Sequence, residues 1–173
     1  VERSRGLGDV YKRQGLSFHG GLLGIVTAAI IISKFYKTTF FEISDLICVS
    51  APVGIFFGRI SNFINGELFG RPSNFLIGMK FPNADNQYRH PSQLYEAFLE
   101  GLLLFIILNF LIFKFKKLKN PGIISGVFLM LYGLFRFTVE FTREPDIQLG
   151  FVYHFFTMGM ILSLPMFLAG ILI

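Results

Sequence analysis

Apolar runs of similar length alternate with short polar stretches along this chain, and the runs define its elements. A helix needs about 20 mostly apolar residues to cross a bilayer. Five segments come near that length: 16–35, 43–64, 92–113, 122–142 and 150–173. Pro52 and Pro165 fall inside two of them, where a kink is tolerated if neighbours satisfy the freed carbonyls. No internal repeat or low-complexity tract interrupts the series. The pattern predicts an all-α chain, a polytopic membrane helix bundle of about five transmembrane helices.

The polar stretches set the orientation. Lys34 and Lys37 follow the first run, and KFKKLK, residues 114–119, follows the third. If the runs alternate in direction, both loops lie on one side, and an excess of lysine marks the cytoplasmic side. The remaining polar residues then segregate to the outer side. His19 opens the first run, and Arg59, Asn62, Asn65 and Glu67 close the second. His90, Gln93, Glu96 and Glu100 open the third, Arg136, Glu140 and Arg143 close the fourth, and His154 stands near the start of the fifth. The inner halves of the runs are almost bare of ionisable groups. Residues 66–91, rich in Gly, Pro and Asn, form an outer loop suited to covering a site or admitting a protein substrate.

Composition agrees with a membrane chain. Of 173 residues, 53% are hydrophobic and 16% charged, and the mean hydropathy is +0.59. Soluble domains carry about 25% charge. The net charge of +5 fits lysine-bearing loops beside anionic lipid better than a nucleic-acid partner. Cys48 is the single cysteine, so no intrachain disulfide forms, and within LICVSAP it reads as inert packing. The first fourteen residues, VERSRGLGDVYKRQ, lack the apolar core of a signal peptide. They are read as a non-native or artefactual leader. The membrane-embedded domain is therefore assigned to 15–173 and expected to be incomplete at its N-terminus.

Charge at membrane depth is costly, so these groups face the bundle interior and pair with one another, or mark a site. Arg136, Glu140 and Arg143 are spaced i, i+4 and i+7, Arg59 and Asn62 i and i+3, and Glu96 and Glu100 i and i+4. Each set shares one face of a helix. One reading is an ion-paired bundle whose charges only fix packing. The other is an anionic headgroup site, with three arginines and few carboxylates left to neutralise them. Arginine's planar fork matches phosphate oxygens, and the phosphate available at the outer leaflet belongs to a phospholipid. His19, followed by two glycines, reads either as a hydrogen-bonded packing residue or as a proton acceptor. The three histidines share no metal-ligand spacing.

Five ordered stretches carry a family resemblance: FHGGLLG, GRISNFINGELFGR, RHPSQLYEAFLEG, LYGLFRFTVEFTREPD and MGMILSLPM. Together they resemble the bacterial prolipoprotein diacylglyceryl transferases. The resemblance implies a seven-span inner-membrane enzyme, two of whose spans precede this chain. It implies transfer of the diacylglyceryl group of phosphatidylglycerol to the lipobox cysteine in a prolipoprotein signal peptide, without a cofactor. A thioether forms, glycerol phosphate leaves, and the site faces the periplasm. Carried onto this sequence, the family's catalytic positions fall on His19, Arg59, Arg136 and Glu140. Its substrate-binding positions fall on Asn62, Glu67, Gly70, Arg71, His90 and Arg143, and Asn65, in the same polar cluster at the end of the second run, is assigned with them. The chain departs from the family at Ser61, where glycine is usual, at Phe69, where tryptophan is common, and at Met160, where glutamine is frequent. These departures bear on lipid positioning more than on the reaction. The rival reading is a transporter or channel, which would need polar residues through both leaflets.

Overall fold

A computed structural model describes residues 18–144 and 156–173, without the side chains of 18, 19 and 117. The described residues divide into two units, one ending at Ile43 and one running from Ser44 to Ile173. Among them there is no strand, only helices and three isolated bridges.

The first unit holds α1 (Phe18–Tyr36) and the start of α2 (Phe40–Asn65). Its turn is built from local chemistry. Lys37 takes the left-handed conformation (φ 55°), and the Thr38 N–H donates to the Ser33 carbonyl at 2.9 Å, closing the C-terminus of α1. Thr39 and Glu42 then form a reciprocal cap on α2. The Thr39 N–H donates to Glu42 at 3.0 Å and the Glu42 N–H to the Thr39 hydroxyl at 3.3 Å.

The second unit contains the rest of α2, then α3 (Ser92–Phe115), α4 (Ile123–Val139) and α5 (Met158–Leu172). Two of the helices, α2 and α3, are long and apolar enough to cross a membrane. The other apolar helices are shorter, 17 residues in α4 and 15 in α5. Against the expected run of 122–142, α4 stops early because the chain turns at its end. The Thr142 N–H folds back onto the Val139 carbonyl at 2.9 Å, and the Thr142 carbonyl accepts from Arg71 N–H at 2.9 Å. The fifth expected run begins in residues outside those described, and its helix starts at Met158.

The core of this unit is Leu104, Leu108 and Ile124, all fully buried. Cys48 packs against that cluster with Val49, Leu131 and Phe135, as its apolar context predicts. Small residues let the backbones close up. A Cβ added at Gly133 would lie 2.8 Å from the Ser163 carbonyl, and one at Gly170 would collide with the backbone at Met130 and Gly126. In lipid, where burial of apolar surface drives little, such close approach is how helices associate. Gly101 does the same between α3 and α2, where a Cβ would meet Phe56 at 2.7–3.0 Å.

One carboxylate stands in the almost bare inner halves, and it has a structural task. Asp45 on α2 is 1% exposed and caps the far helix α4. It accepts the N–H groups of Gly122 at 2.8 Å and Ser125 at 2.7 Å, together with the Ser125 hydroxyl. The α4 N-terminus has no side-chain cap of its own at Gly122. Asp45 supplies the missing acceptors and its negative charge meets the positive end of the helix dipole.

Candidate functional site

At the opposite end of the second unit, α2, α3 and α4 bring their charges together. Two features of α3 arrange this. Gly101 allows α3 to lie on the α2 backbone at Phe56, one turn before Arg59. The segment Ala97–Leu103 is π-helical, a wider turn than the α-helix on either side of it. Glu96 and Glu100, just before and within that wide turn, are both 0% exposed.

Glu96 is the hub. Its Oε2 lies 2.8 Å from Arg59 Nε, and its Oε1 accepts from Arg136 at 2.9 Å and from Arg143 at 3.1 Å. Glu100 lies deeper, 3.8 Å from both Arg59 and Arg136, and neither of its oxygens has a hydrogen-bond partner. Glu140 closes the group. Its Oε2 is 2.9 Å from Arg136, and its Oε1 accepts the Thr157 hydroxyl at 2.8 Å. Thr157 is itself the N-cap of α5, and the Glu140 carboxylate sits where a Cβ on Gly159 would have to go. A negative group there is favoured by the helix N-terminus.

The pairing goes further than the few neutralising carboxylates expected of a headgroup site. Among the described residues, Arg59, Arg136 and Arg143 share Glu96, Glu100 and Glu140. Pairing is nonetheless incomplete in geometry. Glu96 Oε2 and Glu140 Oε2 stand within ion-pair distance of arginine, yet no N–H points squarely at them. Exposure is also uneven. The glutamates are sealed, whereas the arginine side chains keep 12–19% of their surface open. The arginine side chains thus stay partly accessible beside fully buried carboxylates. Such an arrangement can bind an anion without leaving the arginines unpaired when it is empty.

Arg143 reaches Glu96 although it lies beyond α4, so the predicted single helical face is only part of the reason. A bridge between Gly70 and Arg143 fixes the chain there, and Arg71 Nε donates to the Arg143 carbonyl at 2.8 Å. Gly70 is required by this crossing. A Cβ would fall 2.8 Å from the His90 Cβ and carbonyl and would collide with the Thr142 carbonyl.

The loop between α2 and α3 is tied down by its own hydrogen bonds. Gln93 and Ser92, in the first turn of α3, donate to the carbonyls of Glu67 at 2.6 Å and Leu68 at 3.0 Å. Arg89, which sequence reasoning did not single out, is its centre. It grips Asp85 with two nitrogens at 2.9 and 3.0 Å and reaches Glu144 at 2.8 Å and the Gly70 carbonyl at 3.1 Å. It also lies over the Phe69 ring at 5.1 Å. The guanidinium bonds hold the Asp85 carboxyl below its ordinary value. Only its neighbourhood could have drawn attention to Arg89, since its partners lie up to 55 residues away.

Asn62 lies one turn beyond Arg59, and its carbonyl accepts the Glu67 N–H at 3.1 Å. Asn65 and Glu67 are exposed and touch each other at 3.4 Å. His90 contacts the Tyr95 hydroxyl at 3.3 Å through Nδ1, and its backbone N–H donates to the Arg71 carbonyl. The His19 side chain and the whole of His154 lie outside the described residues.

Apolar helices that enclose arginines and glutamates at one end define an integral membrane helix bundle with a polar centre. The chain belongs to the prolipoprotein diacylglyceryl transferase family, whose model matches residues 9–173. It is 56% identical over 156 residues to the phosphatidylglycerol–prolipoprotein diacylglyceryl transferase of Rickettsia akari (strain Hartford), an alignment covering 90% of this chain and 60% of the relative. It is 54% identical over 157 residues to the enzyme of that name from Rickettsia bellii (strain OSU 85-389), covering 91% and 60%. The chain therefore spans about 60% of the length of the curated relatives it matches.

Proposed function

We propose that this chain carries the headgroup-binding centre of a phosphatidylglycerol–prolipoprotein diacylglyceryl transferase. The observation that supports the reading most strongly is the set of three partly accessible arginines gathered on the buried Glu96. In the proposed reaction, a lipobox cysteine loses its proton and its sulfur attacks the glycerol carbon that bears the phosphate ester. The C–S bond forms as the C–O bond breaks, and the electron pair leaves with glycerol phosphate. A cysteine thiol has a pKa of about 8.5, so a base helps. His19 is assigned that role.

Negative charge grows on the departing phosphate, and Arg59 and Arg136 hold it there. Glu140 aims Arg136, and Arg143 adds a third donor. Asn62 and Gly70 shape the pocket, while Asn65, Glu67, Arg71 and His90 line the approach of the lipid and the signal peptide. No metal or organic cofactor takes part. The enzyme works in the bacterial inner membrane, with this end of the bundle towards the periplasm. The domain responsible is 15–173. Transport is the weaker reading, because Asp45, the carboxylate at the other end, is fully engaged in capping α4.

The test sets this chain in a protein of its relatives' full length, with phosphatidylglycerol and a lipobox peptide. The peptide should gain the mass of a diacylglyceryl group, and His19→Gln should slow that gain. An unmodified peptide from folded protein would refute the reading.

A further inference from the structure

The loop between α2 and α3 carries a group of apolar side chains that its own fold leaves outside. Leu76 is 99% exposed and Phe75 61%, with Ile77, Met79 and Tyr88 also open. This is not slack chain. The Phe75 N–H donates to the Ser73 hydroxyl at 3.0 Å, and the Gly78 N–H to the Phe75 carbonyl at 2.8 Å, so the tip is a closed turn. Below it, Ser73 N–H donates to the Tyr88 carbonyl at 2.8 Å. Met79 and Arg89 exchange both backbone bonds at 2.9 Å. Arg89 then fastens this base to Asp85, Glu144 and Gly70. A rigid base presenting a bare apolar tip has lost the option of folding the tip away.

The position of the loop says what covers it. It joins Asn65, the end of one helix of membrane-crossing length, to Ser92, the start of the other. Its root therefore lies at the bilayer surface. Its charge pattern matches that surface. Between Arg71 and Asp85 the one charged residue is Lys80, which lies 5.2 Å over the Tyr88 ring. An apolar tip flanked by a basic residue and an amphipathic aromatic is the composition of interfacial anchors. The cation would meet anionic lipid headgroups.

We infer that the turn Phe75–Leu76–Ile77 inserts into the headgroup–acyl boundary of the same bilayer that α2 and α3 cross, with Lys80 and Tyr88 at headgroup level. The anchor would hold the loop, and with it the Gly70–Arg143 bridge, at fixed depth beside the arginine centre. The inference does not depend on which reaction that centre performs.

The chain contains no tryptophan, so one introduced at the tip reports alone. Leu76→Trp replaces a side chain with no packing to lose, and Asn86→Trp, on the exposed stretch before Tyr88, is the control. Each variant of the full chain is reconstituted into vesicles of phosphatidylcholine and phosphatidylglycerol carrying a quencher just below the headgroups. Insertion predicts blue-shifted emission from the Leu76→Trp variant and loss of most of it to the quencher, while emission from the Asn86→Trp variant stays red and bright. Leu76→Trp combined with Lys80→Glu should lose part of that quenching in anionic vesicles. Water-like, unquenched emission from the Leu76→Trp variant would overturn the inference. So would emission that shifts only when an apolar signal peptide is added, since the tip would then be a peptide-docking surface.

Discussion

Glu96 decides how the centre behaves at the scale of single residues. It joins arginines from α2, from α4 and from the turn after α4, and it is sealed from solvent. Glu96→Ala would leave those arginines without their shared partner, a loss that typically costs about 3–5 kcal/mol in a buried network. Thermal unfolding should register it, and Glu96→Gln should recover part of the stability while turnover stays low. Arg59→Lys keeps the charge but loses the fork. Turnover should fall about 10²-fold in the peptide-lipidation assay, the scale for losing one donor to developing charge. Unchanged turnover would make Arg59 a packing residue. Asp85 gives a pH signature. Arg89 lowers its pKa, so this contact stabilises the loop above the ordinary carboxylate value and fades as pH falls through the lowered one. Limited proteolysis of the loop should rise in that acidic window, and Asp85→Asn should remove the dependence. The arginines and glutamates of the centre were legible in the sequence because charges at the ends of apolar runs stand out. That they pair was expected, but which partner each takes was not legible, since spacing along one helix says nothing of which helix faces it.

The helices themselves follow closely from the apolar pattern. The expected runs 16–35, 43–64 and 92–113 match α1, α2 and α3 to within a few residues. What the pattern could not give is whatever depends on a distant partner. The cap that Asp45 provides for α4 spans 77 residues of sequence. The π-helical turn at Ala97–Leu103 has no compositional mark, because a wider turn uses the same side chains. Two substitutions separate these elements. Asp45→Ala strands two buried N–H groups, which costs about 1–3 kcal/mol. Gly170→Ala forces α5 off α4, with a similar cost of about 1–3 kcal/mol from overpacking. Both should lower the unfolding midpoint in detergent. Only Gly170→Ala should also slow lipidation, because α5 carries Thr157, which steadies Glu140.

At the largest scale, the buried polar groups of the second unit separate to its two ends. Asp45 ties α2 to α4 at one end, and Glu96 gathers the arginines at the other. The region between is apolar core around Leu104 and Leu108. Such a layout resists a continuous polar path, and on the proposed function it suits a lipid whose headgroup meets charge while its chains meet the bilayer. On the proposed function, the arginines held by Glu96 grip a lipid phosphate. Native mass spectrometry tests it directly, by comparing retention of phosphatidylglycerol with that of diacylglycerol, which has the same chains and no phosphate. Selective retention of phosphatidylglycerol, abolished in Arg59→Ala combined with Arg136→Ala, is the predicted result. Equal retention of both lipids by the unaltered chain would mean that the arginines hold no phosphate.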